Sequence, residues 1–141
     1  MLVRMILAIF AILMLAAPGR AQDCQSLKPE GRVEVMRKAP TCDAAMEAFS
    51  DCAYGASGDD RLADIATEKC EAEFLPSIIR TPRWRAYQSG LKRCDDKYEK
   101  MDGTMYIAMA AGCRAQLAQS YARRFNKAKS APPKPVKRKR R

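Results

Sequence analysis

The residues of this 141-residue sequence whose type and spacing could do chemistry are its six cysteines. They are Cys24, Cys42, Cys52, Cys70, Cys94 and Cys113. An even count in a short exported chain reads as three disulfides. Zinc is the rival chemistry. The sequence has no C-x-x-C pair and no histidine, so no zinc-ligand pattern supports it. No metal and no cofactor is expected. The absence of histidine also removes the commonest general base. Carboxylate pairs occur at Asp59-Asp60, Glu71/Glu73 and Asp95-Asp96. They read as solvated helix faces, because side chains at i and i+2 do not face each other. There is no glycine-rich phosphate loop. No catalytic residue is nominated, and the chain is not expected to be an enzyme.

Pairing the cysteines requires the elements that carry them. From Thr81 to Phe125 two helical stripes run on either side of Asp102-Gly103, a turn signal. Trp84, Tyr87, Leu91, Cys94, Tyr98 and Met101 alternate spacings of three and four, which is one face of a helix. Met105, Met109, Cys113, Leu117, Tyr121 and Phe125 recur every four residues. Reversal at Gly103 sets Leu91 against Leu117, Trp84 against Phe125, and Cys94 against Cys113. Thr81-Pro82 supplies a cap residue and a first-turn proline. Gly90 and Gly112 predict close helix approach beside the two cysteines. Trp84, Tyr87, Tyr98, Tyr121 and Phe125 fall on the core stripes, whereas Tyr54 and Tyr106 lie off them and suit exposed contacts.

A second hairpin is predicted upstream. Thr41 caps a helix carrying Cys42, Met46, Phe49 and Ala53, with Asp43 in its first turn. Gly55-Ala56-Ser57-Gly58 turns the chain. Asp59-Asp60 then opens a helix faced by Leu62, Ile65, Ala66, Cys70 and Phe74, which Pro76 is expected to close. Reversal near Ala56 pairs Cys42 with Cys70 and leaves Cys24 with Cys52 by elimination. A Cys42–Cys52 bridge is the rival. Ten residues of straight helix span about 15 Å, and a disulfide needs Cα atoms within about 7 Å. Residues 22–40 are weakly patterned: Pro29 and Gly31 argue against a long helix, with one or two turns expected over Val33 to Lys38. The expected fold is all-α, two antiparallel helical hairpins stapled by three disulfides.

Residues 1–21 read as a cleaved signal peptide. Arg4 precedes thirteen apolar residues from Met5 to Ala17, and Gly19-Arg20-Ala21 fits signal peptidase. Thirteen residues fall short of the about 20 a membrane span needs. The expected compartment is periplasmic or secreted. Residues 22–126 form the expected domain, and 127–141 a disordered Lys/Arg/Pro-rich tail. The net charge is +10. Setting aside two arginines before residue 22 and eight cations from Lys127 onward leaves sixteen cations against sixteen carboxylates. The tail holds the excess charge. Lys134, Lys137, Arg138, Lys139, Arg140 and Arg141 are nominated to bind polyanions such as anionic lipid or polysaccharide. Export removes the chain from nucleic acid, which is not expected as a partner, and no transmembrane span is expected in the mature chain.

The last hairpin resembles the small exported bacterial domains grouped with the LprI-type lysozyme inhibitors. Trp84-Arg-Ala-Tyr87 followed by Cys94 is similar to their tryptophan–aromatic–cysteine helix. Gly103-Thr104-Met105, with Cys113 and Leu117 beyond, is similar to their glycine–Ser/Thr–methionine–cysteine element. Cys42 and Asp51-Cys52-Ala53 resemble their N-terminal cysteine pair. The likeness covers about residues 42–125 and is specific over 84–117. The chain departs from the pattern in two extra residues between Tyr87 and Cys94, in Tyr121 where arginine is common, in the Gly55–Gly58 break, and in Cys24 and Cys70. The expected function is that of an exported envelope binding protein whose partner is a lysozyme or another envelope protein; the resemblance implies lysozyme inhibition as its most concrete version and transfers no inhibitory residue. The alternative is a rigid helical carrier whose cationic tail docks on envelope polyanions.

Overall fold

The structure, a computed structural model, describes residues 24–131. Among them every regular element is helical. A 3-10 turn at Cys24–Ser26 precedes α1 (Pro29–Lys38), α2 (Cys42–Cys52), α3 (Asp59–Ile78), α4 (Pro82–Tyr98) and α5 (Thr104–Ser130). The expected signal segment and the cations from Lys134 to Arg141 lie outside the described residues.

Two antiparallel hairpins form, α2–α3 and α4–α5. Thr41 starts α2 as expected, its hydroxyl accepting the Ala44 N–H at 3.2 Å. Glu73 supplies a second cap from across the hairpin, accepting the Cys42 N–H at 2.7 Å. Asp59 starts α3 in a different way from a solvated first-turn acid. It is buried, and one carboxylate oxygen accepts the N–H groups of Tyr54, Gly55 and Ala56 at 2.9, 2.7 and 3.1 Å. That single side chain organises the turn between α2 and α3. Gly58 precedes it at φ 106°, a left-handed conformation that suits glycine.

The hairpins join through α3 and α5, which form the most extensive interface. They run parallel: Arg114 reaches Asp64 near one end and Asn126 reaches Glu73 near the other. Small residues make the seam. On α5, Ala108, Ala111, Ala115, Ala118 and Ala122 are buried at alternating spacings of three and four. Of these, Ala111, Ala115, Ala118 and Ala122 pack into the core that Leu62, Ala63, Ala66, Cys70 and Phe74 build on α3. α1 lies against α2 and α3 and adds Val33 and Met36.

The three disulfides are Cys24–Cys52, Cys42–Cys70 and Cys94–Cys113, with Cα separations of 4.9, 4.3 and 5.6 Å. These are the pairs that register and elimination point to. Cys42 and Cys52 stand at opposite ends of α2, so neither can reach the other.

Several expectations are corrected. α1 is a full ten-residue helix, because Pro29 occupies its first turn, where the missing N–H has no partner to lose. Pro76 does not close α3, which continues to Ile78. The ring is exposed and forfeits one bond in the final turn, too late to stop the helix. α5 runs on through Lys127 to Ser130, so residues 127–130, expected in the tail, are helical. Met105 and Met109 are 44% and 45% exposed, not core. The four-residue stripe drifts around α5, and its first turn extends past the start of α3. Gly90 does allow close approach: a Cβ there would lie 2.6 Å from Leu117 Cδ2. Gly112 does not, its nearest neighbour being Phe49 Cζ at 3.9 Å.

Candidate functional site

The near-neutral body is divided. Residues 42–79 hold nine carboxylates and two cations, whereas 80–130 hold twelve cations and four carboxylates. The hairpins are therefore oppositely charged, and polar pairs cross between them. Arg114 bridges Asp64 of α3 and Asp95 of α4. Arg123 pairs with Asp43 at 2.8 Å, and Gln119 donates to the same carboxylate oxygen at 2.8 Å. The hydrogen bonds from Arg123 and Gln119 hold the Asp43 carboxyl below the usual aspartate range.

Six of the ten remaining cations collect where α4 begins and α5 ends; Lys92, Arg93, Lys97 and Lys100 lie toward the other end of the hairpin, where Lys92 pairs with Asp96. Arg80 sits in the turn before α4 with φ 66°, a left-handed conformation uncommon outside glycine. Arg83 and Arg85 follow in the first turn of α4, which contains no acid. The positive end of the helix dipole disfavours them there. Arg124, Lys127 and Lys129 lie on the last turns of α5, and the two lysines suit its negative end. Among the described residues none of these six cations has a carboxylate partner. The nearby acids are committed elsewhere: Glu71 accepts from the Tyr87 hydroxyl at 2.7 Å, and Glu73 from Cys42 and Asn126.

An aromatic cluster holds the two helix ends together. Tyr87 is fully buried, with its ring edge-on to Phe74 at 5.1 Å and against Tyr121 at 4.9 Å. Trp84 lies 6.0 Å from Tyr87 on the half-buried margin. Burial, then the bond to Glu71, pushes the Tyr87 hydroxyl well above its ordinary pKa, so it stays a donor. Beside this cluster a groove of about 290 Å³ opens between α4 and α5, floored by Phe74, Ile78, Tyr121 and Phe125 and rimmed by Arg83 and Arg124.

Of the nominated residues, the six cysteines are structural, and Trp84, Tyr87, Tyr121 and Phe125 pack as the stripes imply. Tyr98 is only half-buried and stacks with Tyr106 at the far end of the hairpin. Tyr54 is exposed beneath the Arg32 guanidinium, 4.1 Å from its ring centre. The cationic end was missed because the body was counted as one unit; counting each hairpin separately exposes it. Among the described residues no group of His, Cys, Asp and Glu is arranged to hold a metal, and no helix is long and apolar enough to cross a membrane. The three disulfides fit an oxidising compartment. Comparison with family models, with curated proteins and with solved structures yields no match.

Proposed function

We propose that this chain is an exported envelope binding protein, not an enzyme, that docks on polyanionic surfaces through its cationic end. One observation carries the reading. Arg80, Arg83, Arg85, Arg124, Lys127 and Lys129 gather at one end of the α4–α5 hairpin without carboxylate partners among the described residues, and the sequence beyond Ala131 adds Lys134, Lys137, Arg138, Lys139, Arg140 and Arg141. Each basic residue held near an anionic surface contributes roughly 1 kcal/mol, fading within a Debye length. Cosedimentation of the exported chain with phosphatidylglycerol vesicles at low and high salt tests it. Binding is expected at low salt, lost at high salt, and weakened roughly a hundredfold or more by truncation after Ser130. Equal binding by the truncated protein would confine the docking to the six cations of the hairpin end, and indifference to salt, or no binding at low salt, would remove the reading.

A second reading is inhibition of a cationic lysozyme, as the resemblance over 84–117 implies. Its support is the acidic α2–α3 hairpin, where Glu47, Asp51 and Glu68 are exposed and have no cationic partner among the described residues. Such a face would steer a basic protein. A bacteriolysis assay with micromolar protein decides it: unimpaired lysis rejects the inhibitor.

A further inference from the structure

We propose that the groove between the start of α4 and the end of α5 binds one lipid phosphomonoester, the phosphate held by Arg83 and Arg124 and the chain laid on the aromatic floor. This deepens the polyanion reading and rests on it for the charge. A flat anionic surface needs only cations; the apolar floor is what a surface does not explain. Phe74 and Ile78 supply its deep side, and Tyr121 and Phe125 its half-buried margin. The two guanidiniums that rim it are exposed and have no carboxylate partner among the described residues. Glu71 and Glu73, the acids of α3 on that side, are held by Tyr87 and by Cys42 and Asn126. Two like charges left unneutralised over an apolar trough are complementary to a dianionic head carrying an alkyl chain. Guanidinium forks match phosphate oxygens in bidentate geometry. The volume of about 290 Å³ lies just under the range of roughly 300–1,000 Å³ for small-molecule pockets. It suits a headgroup with a short length of chain rather than a polymer.

Trp84 reports the site. It is the sole tryptophan, it is half-buried, and it follows Arg83 directly. The exported chain is titrated with dihexanoyl phosphatidic acid below its micelle concentration, and Trp84 emission is followed. Dihexanoyl phosphatidylcholine and inorganic phosphate are the controls. A saturable change is expected with the phosphatidic acid alone. The double variant Arg83→Gln/Arg124→Gln should weaken it roughly tenfold or more. Ala86→Leu, which fills the groove from its exposed rim and keeps both charges, should weaken it comparably. Circular dichroism of both variants should match the parent. Truncation after Ser130 should leave monomer binding unchanged while reducing vesicle binding. An equal response to phosphatidylcholine, an equal response to phosphate, or full binding by either variant would overturn the site. In the untruncated exported chain, monomer binding without vesicle binding removes the surface reading alone, and vesicle binding without monomer binding removes the groove alone.

Discussion

Replacing Tyr87 with phenylalanine deletes one oxygen and leaves the ring in its cluster. The ring meets Phe74, Tyr121 and Trp84 at 5.1, 4.9 and 6.0 Å, so packing is retained. What disappears is the 2.7 Å hydrogen bond from the hydroxyl to Glu71. A bond to a charged group contributes about 1.5–3 kcal/mol. Glu71 is half-buried, so water can take part of the lost donor's place, and a loss of about 1.5–2 kcal/mol is expected at pH 7. Alkali provides a second readout. Burial and the Glu71 bond raise the phenol above its ordinary value, so the unfolded chain releases this proton first. The contribution is complete below about pH 10 and drains away above it, at up to about 1.4 kcal/mol per pH unit. Urea unfolding at pH 7 and pH 11 under non-reducing conditions measures both effects. The wild-type chain should lose stability between the two pH values, and Tyr87→Phe should lose less over the same interval. A double-mutant cycle with Glu71→Gln should return a coupling of about 1 kcal/mol or more. If the variant is as stable as wild type at pH 7, or its alkaline loss is undiminished, the hydroxyl is solvated and is not a buried donor to Glu71.

Three further outcomes are expected. Asp59→Ala should cost roughly 2–3 kcal/mol in thermal or urea unfolding, because three turn N–H groups lose their acceptor together. Ala115→Leu, placed on the fully buried seam of α5, should cost about 1–3 kcal/mol by overpacking, whereas the exposed Met109→Leu should change little. Arg123→Ala should flatten the acid limb of stability. The Asp43 pair contributes above the ordinary aspartate pKa and is lost as pH falls through its depressed folded value. Because both partners are exposed, the effect should stay under about 1 kcal/mol and shrink with salt.

The α4–α5 hairpin was legible because large side chains mark its stripes. Trp84, Tyr87 and Leu91 set the face of α4, Gly103 set the turn, and the Cys94–Cys113 pair followed by counting. The seam between the hairpins was not legible, because alanine is weakly apolar and good in any helix. Ala108 to Ala122 carry the real period of α5, while Met105 and Met109 drew attention to a face that solvent covers. Proline misled twice, at Pro29 and Pro76, since the residue type does not say whether its missing N–H falls in the first turn, the last or the middle. Asp59, Glu71 and Glu73 looked like solvent-facing acids because their partners, turn amides, a tyrosine on α4 and the start of α2, are set by tertiary folding. The cationic end depended on knowing that α4 begins where α5 finishes.

The bridges also divide the chain into two covalent islands. Cys24–Cys52 and Cys42–Cys70 overlap across α2, so a single backbone cut anywhere from residue 25 to 69 leaves the two pieces tethered. Cys94–Cys113 does the same for the far hairpin. No bridge spans residues 71–93, which include the exposed turn at Ile79 and Arg80. A protease that cleaves after Arg80 would leave two halves whose cohesion rests on the alanine seam, the packing of Phe74 against Tyr87 and Tyr121, the Tyr87–Glu71 bond and the charge pairs Arg114–Asp64 and Arg123–Asp43. Such a nicked molecule would hold together in buffer, separate in denaturant without any reductant, and reassemble from its oxidised halves by electrostatic and steric fit.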